Sequence, residues 1–166
     1  KKRSDEADEG AGMIGTIEFA SATVYRYATI NVDLLRENLG DDAVAERAIE
    51  LFVDSFVRSM PTGKITTFGN RTLPDAVLVQ VRADQPINMS GAFEEPIVSD
   101  RSGFAGPAVE RFVEFESQLR DLTGLDAVRS LVSWTTPRGV DFGALGSQVK
   151  LVDLGGATVE AVRGTR

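Results

Sequence analysis

The chain has 166 residues, of which 42% are hydrophobic, a net charge of −7, and neither histidine nor cysteine. That is enough apolar material for one domain with a core. The missing residue types exclude Ser-His-Asp and Cys-His hydrolysis, imidazole acid–base chemistry, disulfides and Cys- or His-type zinc sites within the chain. An all-carboxylate magnesium site is the one metal chemistry left open. No run reaches the ~20 apolar residues of a membrane span. No signal-peptide pattern follows Lys1-Lys2-Arg3. The expectation is therefore a cytoplasmic protein with no membrane partner and no cofactor. The acidic balance opposes nucleic-acid binding unless a local basic surface supplies it.

In chain order, residues 1–11 are almost wholly charged or small and read as a disordered or loop end. A natural domain seldom runs from such a stretch straight into a buried strand pair, so the start reads as a cut end. Gly15 to Asn31 reads as two strands joined at Ala20-Ser21-Ala22. In the second, alternation puts Thr23, Tyr25, Tyr27 and Thr29 on one face. Val24, Ala28 and Ile30 take the other, with Arg26 among them. Two readings of the first face stay open. It is a platform on which bases or a partner stack, or it is core, with the tyrosine hydroxyls satisfied at its edge.

Asn31 or Asp33 can cap a short helix, Leu34 to Leu39, that Gly40 stops. Asp41 and Asp42 can cap a longer one running to about Ser59. Its apolar stripe is Ala45, Ala48, Ile49, Phe52, Val53, Phe56 and Met60. Residues 61–75 read as a loop. Ala76 to Arg82 is a strand apolar enough for a central position. Irregular stretches follow at 87–96 and 99–106. Pro107 opens a helix that Gly124 closes, with Val109, Phe112, Phe115, Leu119 and Leu122 as its buried stripe. Glu110, Glu114 and Glu116 read as its solvated face. A strand lies within Leu125 to Thr136, a loop at 139–146, a short strand at Gln148 to Val152, and a terminal helix at Ala157 to Arg163. The order, roughly β-β-α-α-β-α-β-β-α, points to an α+β fold. A mainly antiparallel sheet with helices on one face, ferredoxin-like or RNA-recognition-motif-like, fits it best.

The sharpest local chemistry is the loop Gly63-Lys64-Ile65-Thr66-Thr67-Phe68-Gly69-Asn70-Arg71-Thr72. Lys64 and Arg71 can neutralise a phosphodiester backbone, and Thr66, Thr67 and Asn70 can donate hydrogen bonds to it. It lacks the Walker spacing, and an ordinary solvated loop is the bland alternative. The carboxylates do not cluster: Asp41 and Asp42 serve as caps, and Glu94-Glu95 is a lone adjacent pair.

Several segments in order resemble the CasC-type subunit of the type I-E CRISPR Cascade complex. They are Gly12 to Phe19, Tyr25-Arg26-Tyr27-Ala28, Asn31 to Leu35, Gly63 to Phe68, Arg71 to Asp75, Asp84 to Asn88 and Gly91-Ala92-Phe93-Glu94. The resemblance covers about 150 residues and only that family's C-terminal half. It implies a non-catalytic subunit that binds the guide crRNA. Copies of the subunit stack with one another and with other Cascade subunits as a helical filament, and present the guide for pairing with target DNA. It also implies a right-hand shape, with a palm resembling an RNA-recognition motif. On that reading residues 1–11 are the return from a thumb, and 12–166 are the C-terminal part of an incomplete palm. The RNA-facing residues expected are Lys64, Thr66, Thr67, Asn70 and Arg71, with Tyr25 and Tyr27 on or near the palm. Asn88, Met89, Phe93 and Glu94 are the expected subunit contact. Two rivals remain. One is a ferredoxin-like CRISPR RNA-processing nuclease using Lys64 with Tyr25 or Tyr27 for proton transfer. The other is a protein–protein adaptor that meets no nucleic acid.

Overall fold

A computed structural model describes residues 22–69, 71–99, 103–134 and 142–165. The first expected strand, the residue 1–11 end, Asn70 and residues 135–141 lie outside the described residues.

Helix α1 spans Val32–Leu39. The Asn31 side chain accepts a hydrogen bond from the Leu34 N–H, and Gly40 turns left-handed at φ 65° to end it. Helix α2, Asp42–Arg58, starts at Asp41, whose carboxylate accepts from the Ala43 and Val44 N–H groups. Both caps follow the sequence reading. The buried stripe of α2 is Ala45, Ile49, Val53 and Val57, a strict four-residue step. Val57 therefore replaces the expected Phe52, which is exposed.

Strand β1 is Ala76–Val81, β2 is Arg129–Trp134 and β3 is Ser147–Gln148, in spatial order β1-β2-β3. β1 and β2 pair antiparallel, with Val79 opposite Leu131 and Leu78 opposite Val132. β3 joins β2 in parallel, so the sheet is mixed. The fold is α+β, as expected.

The helices do not share one face. On one side, Val77, Val79, Val81 and Leu131 meet Val53 and Val57 of α2 and Leu154 and Ala161 of α5, Leu154–Arg163. On the other, Ala76, Leu78 and Val132 meet Val109, Phe112 and Val113 of α4, Ala105–Thr123, with Phe142 and Leu145 of a 3-10 turn at Phe142–Leu145. This corrects the one-sided expectation. β1 is apolar on both faces, and a strand of that kind is stable only between two layers. α5 lies close to α2 because position 155 is glycine: a Cβ there would stand 3.0 Å from the Glu50 carbonyl oxygen.

Helix α4 corrects two further expectations. Leu122 is 86% exposed, whereas Glu116 is 5% exposed. Glu116 Oε1 accepts from Gln80 Nε2 of β1 at 3.0 Å, so the carboxylate faces the sheet instead of solvent. Residues 22–30, read as the second strand of a pair, carry no ladder among the described residues.

Candidate nucleic-acid interface

The loop after α2 is more ordered than its composition suggests. Ser59 is extended at φ −79° and ψ 116°, and its N–H closes on the Ser55 carbonyl. A one-turn helix, α3, Ile65–Phe68, then sits between two left-handed residues, Lys64 at φ 54° and Gly69 at φ 60°. Lys64 is the one non-glycine residue with positive φ among the described residues. Its carbonyl accepts from the Thr67 and Phe68 N–H groups at 3.0 and 3.1 Å. Gly69 N–H returns to the Ile65 carbonyl, and Arg71 N–H to the Gly69 carbonyl. The backbone thus satisfies itself locally, which leaves the Lys64, Thr66, Thr67 and Arg71 side chains directed outward and exposed. Asn70 lies outside the described residues.

The charges divide by region. Arg36, Arg47, Arg82, Arg111, Arg120 and Arg163 each reach a carboxylate within 4 Å. Arg163, for example, holds Glu46 of α2 at 2.6 Å, and that pairing raises its pKa further. Arg26, Arg58, Lys64, Arg71, Arg129 and Lys150 have no acidic partner at that range among the described residues. Of these, Arg58, Lys64 and Arg71 fall on a single stretch of chain. Arg26 is tied to it: its guanidinium donates to the Ser59 carbonyl and lies 4.4 Å above the Phe56 ring.

The two tyrosines have different surroundings. Tyr25 is half-buried in a row of rings. Its centroid is 5.4 Å from Phe93 and 6.1 Å from Phe112, and Phe112 is in turn 6.1 Å from Phe142. Its hydroxyl oxygen accepts from the Met89 N–H at 3.1 Å. Burial raises its pKa above the ordinary tyrosine value; the Met89 N–H opposes that shift, and Tyr27 adds to it. Tyr27 is exposed. The tyrosines therefore do not form one open face: Tyr25 packs half-buried into the ring row, and Tyr27 is exposed. Adjacent residues Tyr25 and Arg26 engage different layers, Tyr25 the α4 side of the sheet and Arg26 the end of α2.

The 88–94 segment forms a 3-10 turn at Met89–Phe93, capped by the Asn88 side chain on the Ser90 N–H. Met89 is buried, and Phe93 belongs to the ring row. Both side chains are spent on internal packing, while Asn88 and Glu94 are exposed.

The sequence reading missed Arg26 and Arg58 as members of the cationic region. Arg58, the last residue of α2, carried no signal of its own in the sequence. Arg26 carried a signal: an arginine interrupting an apolar alternation needs a specific partner, and here that partner is a helix terminus with an aromatic ring.

Comparison with known proteins follows the same direction. The profile of a family described as CT1975-like protein matches residues 2–154. A solved chain titled "CRISPR RNA-guided surveillance complex" is similar at TM-score 0.73 and 30% identity over 80% of this chain. Another, titled "CRISPR RNA-guided surveillance complex, pre-nicking", is similar at TM-score 0.72 and 32% identity over 80% of this chain. The chain spans 50% and 35% of the lengths of those two neighbours. No curated protein matches it.

Proposed function

The chain belongs to the CT1975-like protein family, and from that premise we propose that it is the C-terminal half of a CasC-type backbone subunit of a type I-E CRISPR Cascade complex. Its role on this reading is non-catalytic and cytoplasmic. It holds the guide crRNA, stacks with further copies and with other Cascade subunits as a filament, and offers the guide to target DNA. The likeness to chains of RNA-guided surveillance complexes supports the partner class. The observation that carries the reading is the cationic stretch. In an acidic chain whose other described arginines largely pair with carboxylates, Arg58 stands exposed at the end of α2, and Lys64 and Arg71 stand exposed with Thr66 and Thr67 on the loop that follows. Those side chains suit phosphate oxygens, which want cations and hydroxyl donors and carry no base identity. Burial of Tyr25 supports the non-catalytic reading over the nuclease rival, because a hydroxyl with a raised pKa that already accepts from Met89 is poorly placed for proton transfer.

The test is filter binding of guide RNA to the full-length protein at several salt concentrations. Lys64→Ala with Arg71→Ala weakens binding and flattens the dependence of log K on log salt by roughly 1.4, the sum of two single-strand phosphate contacts. Unchanged affinity and slope refute the loop assignment. Specific cleavage of repeat RNA would instead favour the nuclease.

A further inference from the structure

Arg26 lies outside the loop, yet both of its contacts are at the point where the chain leaves α2. A helix C-terminus is the negative end of its dipole and leaves carbonyls unpaired. Arg26 donates to the Ser59 carbonyl there, and its guanidinium carbon lies over the Phe56 ring in the last turn. Only Met60 to Gly63 separate Ser59 from Lys64. On the other side of Arg26, Tyr25 is fixed by the Met89 N–H and the Phe93 and Phe112 rings. One end of this latch is therefore anchored in the α4 layer, and the other grips the root of the cationic loop. Resting on the phosphate-binding reading of that loop, we infer that Arg26 is a positioning residue: it sets the exit direction of the chain from α2 and so aims Lys64 and Arg71 at the polyanion.

This role separates from direct phosphate contact by experiment. The probe is single-stranded oligouridylate titrated with full-length protein at several salt concentrations. Arg26→Ala weakens binding about fivefold to tenfold, the scale of one cation–π contact plus one hydrogen bond, with an unchanged salt slope. Phe56→Leu keeps the Arg26 charge but removes the ring beneath it, and weakens binding in the same sense. The double variant is no weaker than Arg26→Ala alone, since both act through one contact. Hydrogen exchange in the free protein gives a readout independent of RNA: the hydrogen-bonded amides of Ser59, Ile65 and Thr67 exchange faster in Arg26→Ala. A salt slope flattened by Arg26→Ala, with Phe56→Leu binding as wild type, makes Arg26 a direct ligand and overturns the inference. So does unchanged binding in both variants while Lys64→Ala with Arg71→Ala still weakens it. If the latter pair has no effect, the loop reading itself fails, whatever Arg26 does.

Discussion

Lys64 combines two properties that a single substitution can pull apart. Its φ of 54° lies in the left-handed region, where a side chain with a Cβ is strained by roughly 1–2 kcal/mol. Its ammonium is exposed and without an acidic partner among the described residues. Lys64→Gly removes the strain, while the extra freedom of glycine in the unfolded chain takes back about 0.5–1 kcal/mol. The net expectation is a gain of roughly 0.5–1 kcal/mol, a rise of about 2 °C in Tm for a chain of this length. On the proposed phosphate-binding reading, the same variant loses one phosphate contact. For a single strand each contact scales K as about the −0.7 power of salt, so the loss at 0.1 M is ~fivefold, with the slope flattened by ~0.7. Lys64→Ala is the control: it keeps the strain and loses the charge, so binding falls without a gain in stability. Circular-dichroism melts and salt-series RNA titrations on the three proteins read both quantities. A Lys64→Gly protein less stable than wild type refutes the strain argument. One that is more stable but binds RNA with wild-type affinity and slope refutes the contact.

Two further outcomes test the packing on the two sides of the sheet. The chain has only two tyrosines, so absorbance at 295 nm reports Tyr25 against one other ring. The raised pKa of Tyr25 means that the folded state holds its proton more tightly than the unfolded state. Its contribution to stability is thus complete below about pH 10 and declines as pH climbs through the higher native value. Tyr25→Phe abolishes the late component of the native titration, and a late component that survives would show that another group produces it. Leu154 is fully buried among Val53, Val57, Leu131 and Ala161. Leu154→Ala costs about 3–5 kcal/mol, seen as a lower urea midpoint with an unchanged m-value; a loss under 1 kcal/mol contradicts that packing.

What the sequence revealed divides along the range of the interactions. The caps of α1 and α2 were legible because Asn31, Gly40 and Asp41 act on neighbours a few residues away. The ends of α4 at Gly124 and of β1 near Val81 were legible for the same reason. Tertiary partners decided the rest. Glu116 and Leu122 both lie on α4, and hydrophobicity ranks them in the wrong order: Gln80 on a distant strand gives the glutamate a partner, and nothing described covers the leucine. The alternation from Thr23 to Ile30 was real as a pattern, yet Tyr25 and Arg26 are held by rings and a helix end, not by a ladder. The cationic loop was visible from composition. Its short helix and the left-handed Lys64 were not, because they depend on backbone hydrogen bonds that close within the loop.

Both broad surfaces of the β1-β2-β3 sheet are roofed, one by α2 and α5 and the other by α4. Nucleobases cannot lie flat on those strands in the way that open-sheet readers allow. A polynucleotide meeting the described residues must run along the rim, touching sugar and phosphate. On the proposed reading, a grip of that kind would be blind to letters: the same polypeptide would carry any spacer, leaving the reading of sequence to the hybrid that the spacer forms.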